Sequence, residues 1–162
     1  MQKNMLVLVL TATLTTAVFA ETVHRKAEAE QIWNSEEKGH AEFKEVEGAS
    51  GGKVARAKGS MPQWGYIAYY FDKPVPAGKS ILRARFYVDK EPTSQFIFYT
   101  ISQGEQKWLK KVDMPKDAKP GTFVILDFPV DSATEWNAVA LKKFDNCDDP
   151  GLWLDYVSVV LP

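Results

Sequence analysis

Residues 80–88, Ser-Ile-Leu-Arg-Ala-Arg-Phe-Tyr-Val, alternate with a period of two. Leu82, Ala84, Phe86 and Val88 fall on one side of an extended chain, and Arg83, Arg85 and Tyr87 fall on the other. Successive side chains of a strand point to opposite faces, so this spacing predicts a half-buried β-strand, not an amphipathic helix. A less clean alternation runs from His40 to Val46. Six more stretches rich in β-branched and aromatic residues follow: 66–71, 95–101, 107–112, 122–130, 138–144 and 152–161. Turn formers separate them, as in Gly48-Ala49-Ser50-Gly51-Gly52, Asp72-Lys73-Pro74, Lys119-Pro120-Gly121 and Asp148-Asp149-Pro150-Gly151. Residues 26–37 pass for a helix on composition but carry no apolar stripe at helical spacing. Eight to ten short strands at this spacing predict an all-β antiparallel sandwich or barrel rather than βαβ units.

The chain has 162 residues, 45% of them hydrophobic, which suits one globular domain and excludes a disordered chain. Its 20 basic residues stand against 21 acidic ones, for a formal net charge of −1. No excess positive charge is left to neutralise phosphates, so a nucleic-acid partner is not expected. The first residues read as a leader: one Lys at position 3, an uncharged run from Met5 to Phe19, and Val18-Phe19-Ala20 as a peptidase site. That run falls short of the ~20 residues that span a bilayer, and no other stretch comes close. The expectation is a signal peptide over residues 1–20 and a single secreted or periplasmic domain over residues 21–162, without membrane insertion. A single cysteine, Cys147, excludes a disulfide framework within the chain, and burial is its expected role.

Catalytic machinery is not legible. The histidines are His24 and His40; no Gly-x-Ser-x-Gly elbow, His-Glu-x-x-His pair or phosphate loop occurs. The glycine-rich stretch 48–52 leads into a strand, so it lacks the helix N-terminus that would hold phosphate. Asp148 and Asp149 are a carboxylate pair in principle suited to glycoside hydrolysis, but in an Asp-Asp-Pro-Gly setting they read as turn formers. The chain is therefore read as a non-catalytic protein.

Four stretches, taken in order, resemble carbohydrate-binding modules of families six and thirty-five, which belong to the galactose-binding-like β-sandwiches. They are Ala27-Glu28-Ala29-Glu30, then Ala49-Ser50-Gly51-Gly52-Lys53-Val54, then Gly65-Tyr66-Ile67-Ala68-Tyr69 with the Pro-Val-Pro-Ala-Gly-Lys-Ser-Ile-Leu-Arg-Ala-Arg run to Arg85, and finally Leu154-Asp155-Tyr156-Val157. Together they cover almost all of residues 21–162. The resemblance implies a jelly-roll sandwich, in agreement with the period-two pattern.

It also implies a structural calcium ion that ties the first strand to the last. Glu28, Glu30, Asp155 and the backbone carbonyl of Lys53 are the expected ligands. Calcium takes six to eight oxygens, mixing carboxylates with carbonyls. Glu28 and Glu30, two apart, would share a strand face. The alternative is that both glutamates are merely the solvated face of an edge strand.

For sugar binding, the chemistry asks for aromatic rings against the apolar face of a pyranose and polar groups around its rim. The resemblance points to Tyr66 and, less closely, Trp108; Trp64 joins them from its loop. Core packing is the competing role for each of the three. Trp33, Trp136 and Trp153 are assigned to core or turns. Where the family often carries an Asn before the closing Leu-Asp-Tyr, this chain has Gly151-Leu152-Trp153, so Asn146 is the candidate substitute. The implied partner is a polysaccharide or glycan. The competing function is an accessory subunit that binds a protein partner in an extracytoplasmic complex.

Overall fold

The structure, a computed structural model, describes residues 22–31, 41–58, 66–90, 96–102, 105–112, 115–143 and 151–161. The proposed leader, Trp33, His40, Trp64, Asn146, Cys147 and the Asp148-Asp149 pair lie outside the described residues. Among those described there are ten strands and no helix, so no helix is long and apolar enough to cross a membrane.

The strands are β1 (Thr22–Glu28), β2 (Ala41–Glu45), β3 (Lys53–Ala57), β4 (Tyr66–Val75), β5 (Gly78–Val88), β6 (Phe96–Ser102), β7 (Glu105–Val112), β8 (Thr122–Ser132), β9 (Trp136–Lys143) and β10 (Leu152–Leu161). They form two antiparallel sheets. One has the order β2-β3-β10-β5-β8, with β1 also on β10; the other has the order β4-β9-β6-β7. This is an all-β antiparallel sandwich, one of the two architectures that the alternation predicted, and it agrees with the jelly-roll class that the resemblance implied.

The alternation at 80–88 appears in β5 as a strict buried/half-buried rhythm. Leu82, Ala84, Phe86 and Val88 are fully buried and face the second sheet, where Ile67, Tyr69, Val139 and Leu141 meet them in one core. β10 shows no such rhythm: eight of its ten residues are buried. It is the central strand of its sheet, and the loop of residues 46–52 and the side chains of Lys44 and Arg56 lie over its outer face. Arg56 stacks on the Trp153 ring at 4.2 Å and Lys44 sits 5.8 Å from it. Trp136 and Trp153 are both buried, as assigned from the sequence.

β5 pairs along one edge of β10. The other edge is shared by two strands laid end to end: β1 opposite Tyr156 to Leu161, and β3 opposite Leu154. Where they meet, β10 has a bulge. Leu154 pairs with Phe86 and Tyr156 with Arg85, so Asp155 is the extra residue. A bulge re-aims the side chain of the inserted residue, and here it turns a carboxylate into the join between β1 and β3.

Candidate functional site

The join gathers the carboxylates expected from opposite ends of the chain, and the loop between β2 and β3 is what they close on. That loop folds tightly because Ala49 N donates to Val46 O (3.1 Å), Gly52 N to Ala49 O (3.1 Å) and Val46 N to Gly52 O (3.3 Å). Gly48 and Gly52 have φ of 82° and 81°, the left-handed region where a side chain would be strained.

All three carboxylates touch Ser50 or Gly51 of this loop. Asp155 Oδ1 accepts from Ser50 N at 2.8 Å. Glu28 Oε1 accepts from Ser50 Oγ at 3.2 Å. The oxygens of Glu30 lie 2.5 and 2.8 Å from where a Cβ on Gly51 would stand, so only glycine leaves room for them. Lys53 opens β3 at the same place, with its side chain exposed.

The local structure differs from the sequence expectation at Glu30. β1 ends at Glu28, and Ala29-Glu30 belong to a turn closed by Gln31 N donating to Glu28 O (3.0 Å). Glu28 and Glu30 therefore do not share a strand face; the turn brings Glu30 to the loop instead. Ala29 N still donates to Asp155 O at 2.9 Å, carrying the β1–β10 pairing past the end of the strand.

Two carboxylates have side-chain cations of their own. Asp155 is fully buried, and its Oδ2 takes Arg85 Nη1 at 2.6 Å. The same nitrogen donates to Gly48 O at 2.9 Å, and the guanidinium covers the Phe123 ring at 3.8 Å. Glu28 Oε1 takes Lys26 Nζ at 2.6 Å, and that ammonium also reaches Ser50 Oγ at 2.5 Å and lies over the Tyr156 ring. Among the described residues no three His, Cys, Asp or Glu side chains are grouped so that they could hold a metal ion. Glu28 Oε2 is buried without a hydrogen-bond partner among the described residues. A buried carboxylate oxygen without a partner is costly.

Glu30 acts on one further group. Tyr69 is buried in the core and donates its hydroxyl to Ala29 O at 3.1 Å. Burial first, and the Glu30 carboxylate second, push its pKa well above the usual tyrosine range.

Two of the aromatic candidates, Tyr66 and Trp108, lie on strands of the second sheet. Tyr66 pairs with Lys142 at the start of β4. Trp108 pairs with Tyr99, Tyr99 with Ala140, and Ala140 with Ala68. Ile67 and Tyr69 of β4 are in the core, so Ala68 and, by register, Ala140 fall on the face turned away from it. On that face Ala68, Ala138 and Ala140 form a small buried cluster with Tyr70 packed against it. The alanines were not legible in the sequence, because their small size carries no signal until register lines them up.

The sequence matches no family model and no curated protein. Solved structures do share the fold. The C-terminal family 6 carbohydrate-binding module of a marine laminarinase from Zobellia galactanivorans superimposes with a TM-score of 0.54 at 15% identity, covering 84% of this chain and 98% of that one. A family 6 module of Cellvibrio mixtus lichenase 5A, solved with cellotriose, gives 0.56 at 13% identity, covering 87% and 99%. A family 35 module from an environmental isolate gives 0.53 at 13% identity, covering 87% and 92%. The fold of this chain is that of the carbohydrate-binding-module β-sandwiches, as the four sequence stretches implied.

Proposed function

We propose that this protein is a non-catalytic, extracytoplasmic glycan-binding module that recognises a neutral polysaccharide on the outward face of its β4-β9-β6-β7 sheet. The observation that carries this reading is the register. In the pairing, Ala68, Ala140, Tyr99 and Trp108 follow one another in a single row across the sheet, and Tyr66 stands two residues before Ala68 on β4. An aromatic ring suits the apolar face of a pyranose, whose hydroxyls remain at the rim. The shared fold supports the same reading, and one neighbour was solved with cellotriose. Trp64 and Asn146 complete the proposed binding set.

A structural calcium ion belongs to the proposal, held by Glu28, Glu30, the Lys53 carbonyl and Asp155. Its support is the convergence of three carboxylates on Ser50-Gly51 and the unpartnered Glu28 Oε2. The ion would join β1, β3 and β10 where their hydrogen bonding is interrupted.

A glycan array followed by calorimetric titration with cellotriose and galactose tests the function. Binding that falls at least tenfold, or about 1.4 kcal/mol, in both Tyr66→Ala and Trp108→Ala supports it. An array without signal, together with stoichiometric co-purification of a protein, would replace it with the accessory-subunit function.

A further inference from the structure

A second feature lies at the open edge between the two sheets, where β1 faces β4. β1 is bulged there: Val23 pairs with Val160 and Arg25 with Val159, so His24 is the extra residue. The bulge directs its imidazole into a cavity of about 630 Å³ lined by His24, Gln31, Tyr70, Phe71 and Asp72, among others. That volume lies within the ~300–1,000 Å³ range of small-molecule sites. His24 Nε2 is buried and has no hydrogen-bond partner among the described residues. A buried nitrogen left this way loses its water without compensation, so the cavity holds an unmet demand for a polar partner.

The walls are held without a ligand. Arg25 Nε donates to Lys73 O (2.8 Å) and its Nη2 to Pro74 O (3.3 Å), bolting β1 to β4. Its Nη1 donates to His24 O at 2.6 Å, fixing the bulged residue from behind. Gln31 Oε1 accepts from Glu28 N at 2.8 Å, which leaves its amide NH₂ as a donor.

Charge decides the class of ligand. Arg25 is committed to three carbonyls and stands 3.7 Å from Asp72, and Lys26 is committed to Glu28 and Ser50. Neither cation is left over for an anion, and the Asp72 carboxylate, largely exposed, would repel one. What remains is a set of mixed polarity: an imidazole nitrogen, an amide donor and a carboxylate acceptor beside the tyrosine and phenylalanine. Hydroxyls that both donate and accept match this set.

We infer that this cavity is a second sugar subsite, taking one neutral pyranose residue of the glycan proposed for the adjacent sheet face. Tyr70 connects the two: it packs against Ala68, Ala138 and Ala140 and also lines the cavity. The inference rests on the glycan-binding reading, and the two fail separately in the following experiment.

Isotope-labelled protein is titrated with methyl β-glucoside, methyl β-galactoside and cellotriose while two sets of NMR signals are followed. One set is the His24 ring and the Gln31 side-chain amide; the other is the backbone amides of Ala68, Ala138 and Ala140. The expected result is that at least one probe moves both sets. His24→Ala should then abolish the shifts at Gln31, weaken cellotriose at least fivefold and leave the alanine shifts in place. His24→Gln, which keeps a polar group on a bulged strand, guards against loss of β1 and should recover part of the affinity. Movement of the alanine signals alone, with equal affinity in wild type and His24→Ala, would overturn the second subsite and leave the glycan reading standing. Movement of the His24 and Gln31 signals alone would support the cavity and remove the sheet face. No movement in either set with any probe would overturn both.

Discussion

Arg85 and Asp155, 70 positions apart in the chain, form an ion pair at 2.6 Å in which the carboxylate is fully buried and the guanidinium is flanked by Phe123 and Gly48 O. The pair exists because the β10 bulge at Asp155 lies beside Arg85 on the outer face of β5. It binds the 46–52 loop to the centre of the six-stranded sheet.

Removing one partner of a buried pair leaves an uncompensated charge and costs about 3–5 kcal/mol. Arg85→Ala should therefore unfold at a melting temperature lower by roughly 10 °C. Asp155→Asn, which keeps the shape and removes the charge, should cost less. Calorimetry on both single variants and on the double variant checks this; additive losses would mean that the two side chains do not act together.

Calcium binding at the β1–β3 join should stabilise the fold by mass action, about 2.7 kcal/mol at a free concentration 100-fold above Kd. Chelation should lower the melting temperature, calcium should restore it, and magnesium should substitute poorly because it demands a tighter octahedron. Glu28→Gln and Glu30→Gln should each remove the response. They test it more cleanly than Asp155 variants, which lose the Arg85 pair as well. A melting temperature indifferent to chelator would leave Glu28 and Glu30 as loop contacts only.

Gly51→Ala separates the metal role from simple packing. Its φ is ordinary, so reduced freedom of the unfolded chain offers about 0.4–1 kcal/mol of stabilisation. The new methyl would occupy the space of the Glu30 carboxylate, which as the end of a flexible side chain swings away. Stability without calcium should stay within about 1 kcal/mol of wild type, while the gain from added calcium shrinks. Thermal melts with and without calcium give both numbers.

Tyr69 should make the fold sensitive to alkali. Its folded pKa is raised by burial and by Glu30, so the folded state holds the phenolic proton more tightly than the unfolded chain. The stability it contributes is complete below the ordinary tyrosine pKa, about 10, and is lost as pH climbs from there toward the folded value. Denaturant melts from pH 8 to pH 11 should show Tyr69→Phe less stable by about 1 kcal/mol at pH 8, through loss of the bond to Ala29 O. Above pH 10 its stability should fall less steeply than that of wild type. Parallel curves would assign the alkaline loss to other groups.

Mass spectrometry of the exported protein should give an N-terminus at Glu21, the position after the Val18-Phe19-Ala20 peptidase site. Retention of Met1 in extracytoplasmic material would contradict a cleaved leader.

The strands of this fold were largely written in the sequence. The rhythm of 80–88 specified β5 and its core face because a strand's period is set by local geometry alone. β10 was legible as an apolar, β-branched run and the turn before β3 by its glycines, while the resemblance to carbohydrate-binding modules named Glu28, Glu30 and Asp155 as residues that should meet. How they meet was not legible. Whether Asp155 faces the core, solvent or a neighbour depends on a one-residue bulge, and a bulge is fixed by pairing with β5, β1 and β3 together rather than by the residues around it. Arg85 had the look of any solvent-facing arginine until that bulge brought Asp155 beside it. His24, near the start of the chain, likewise carried no signal: its cavity comes from a bulge in β1 and from β4 crossing the opposite wall. Local alternation determined which residues form strands; the register between distant strands decided which polar groups share a site, because that register is an energy balance over the whole sheet.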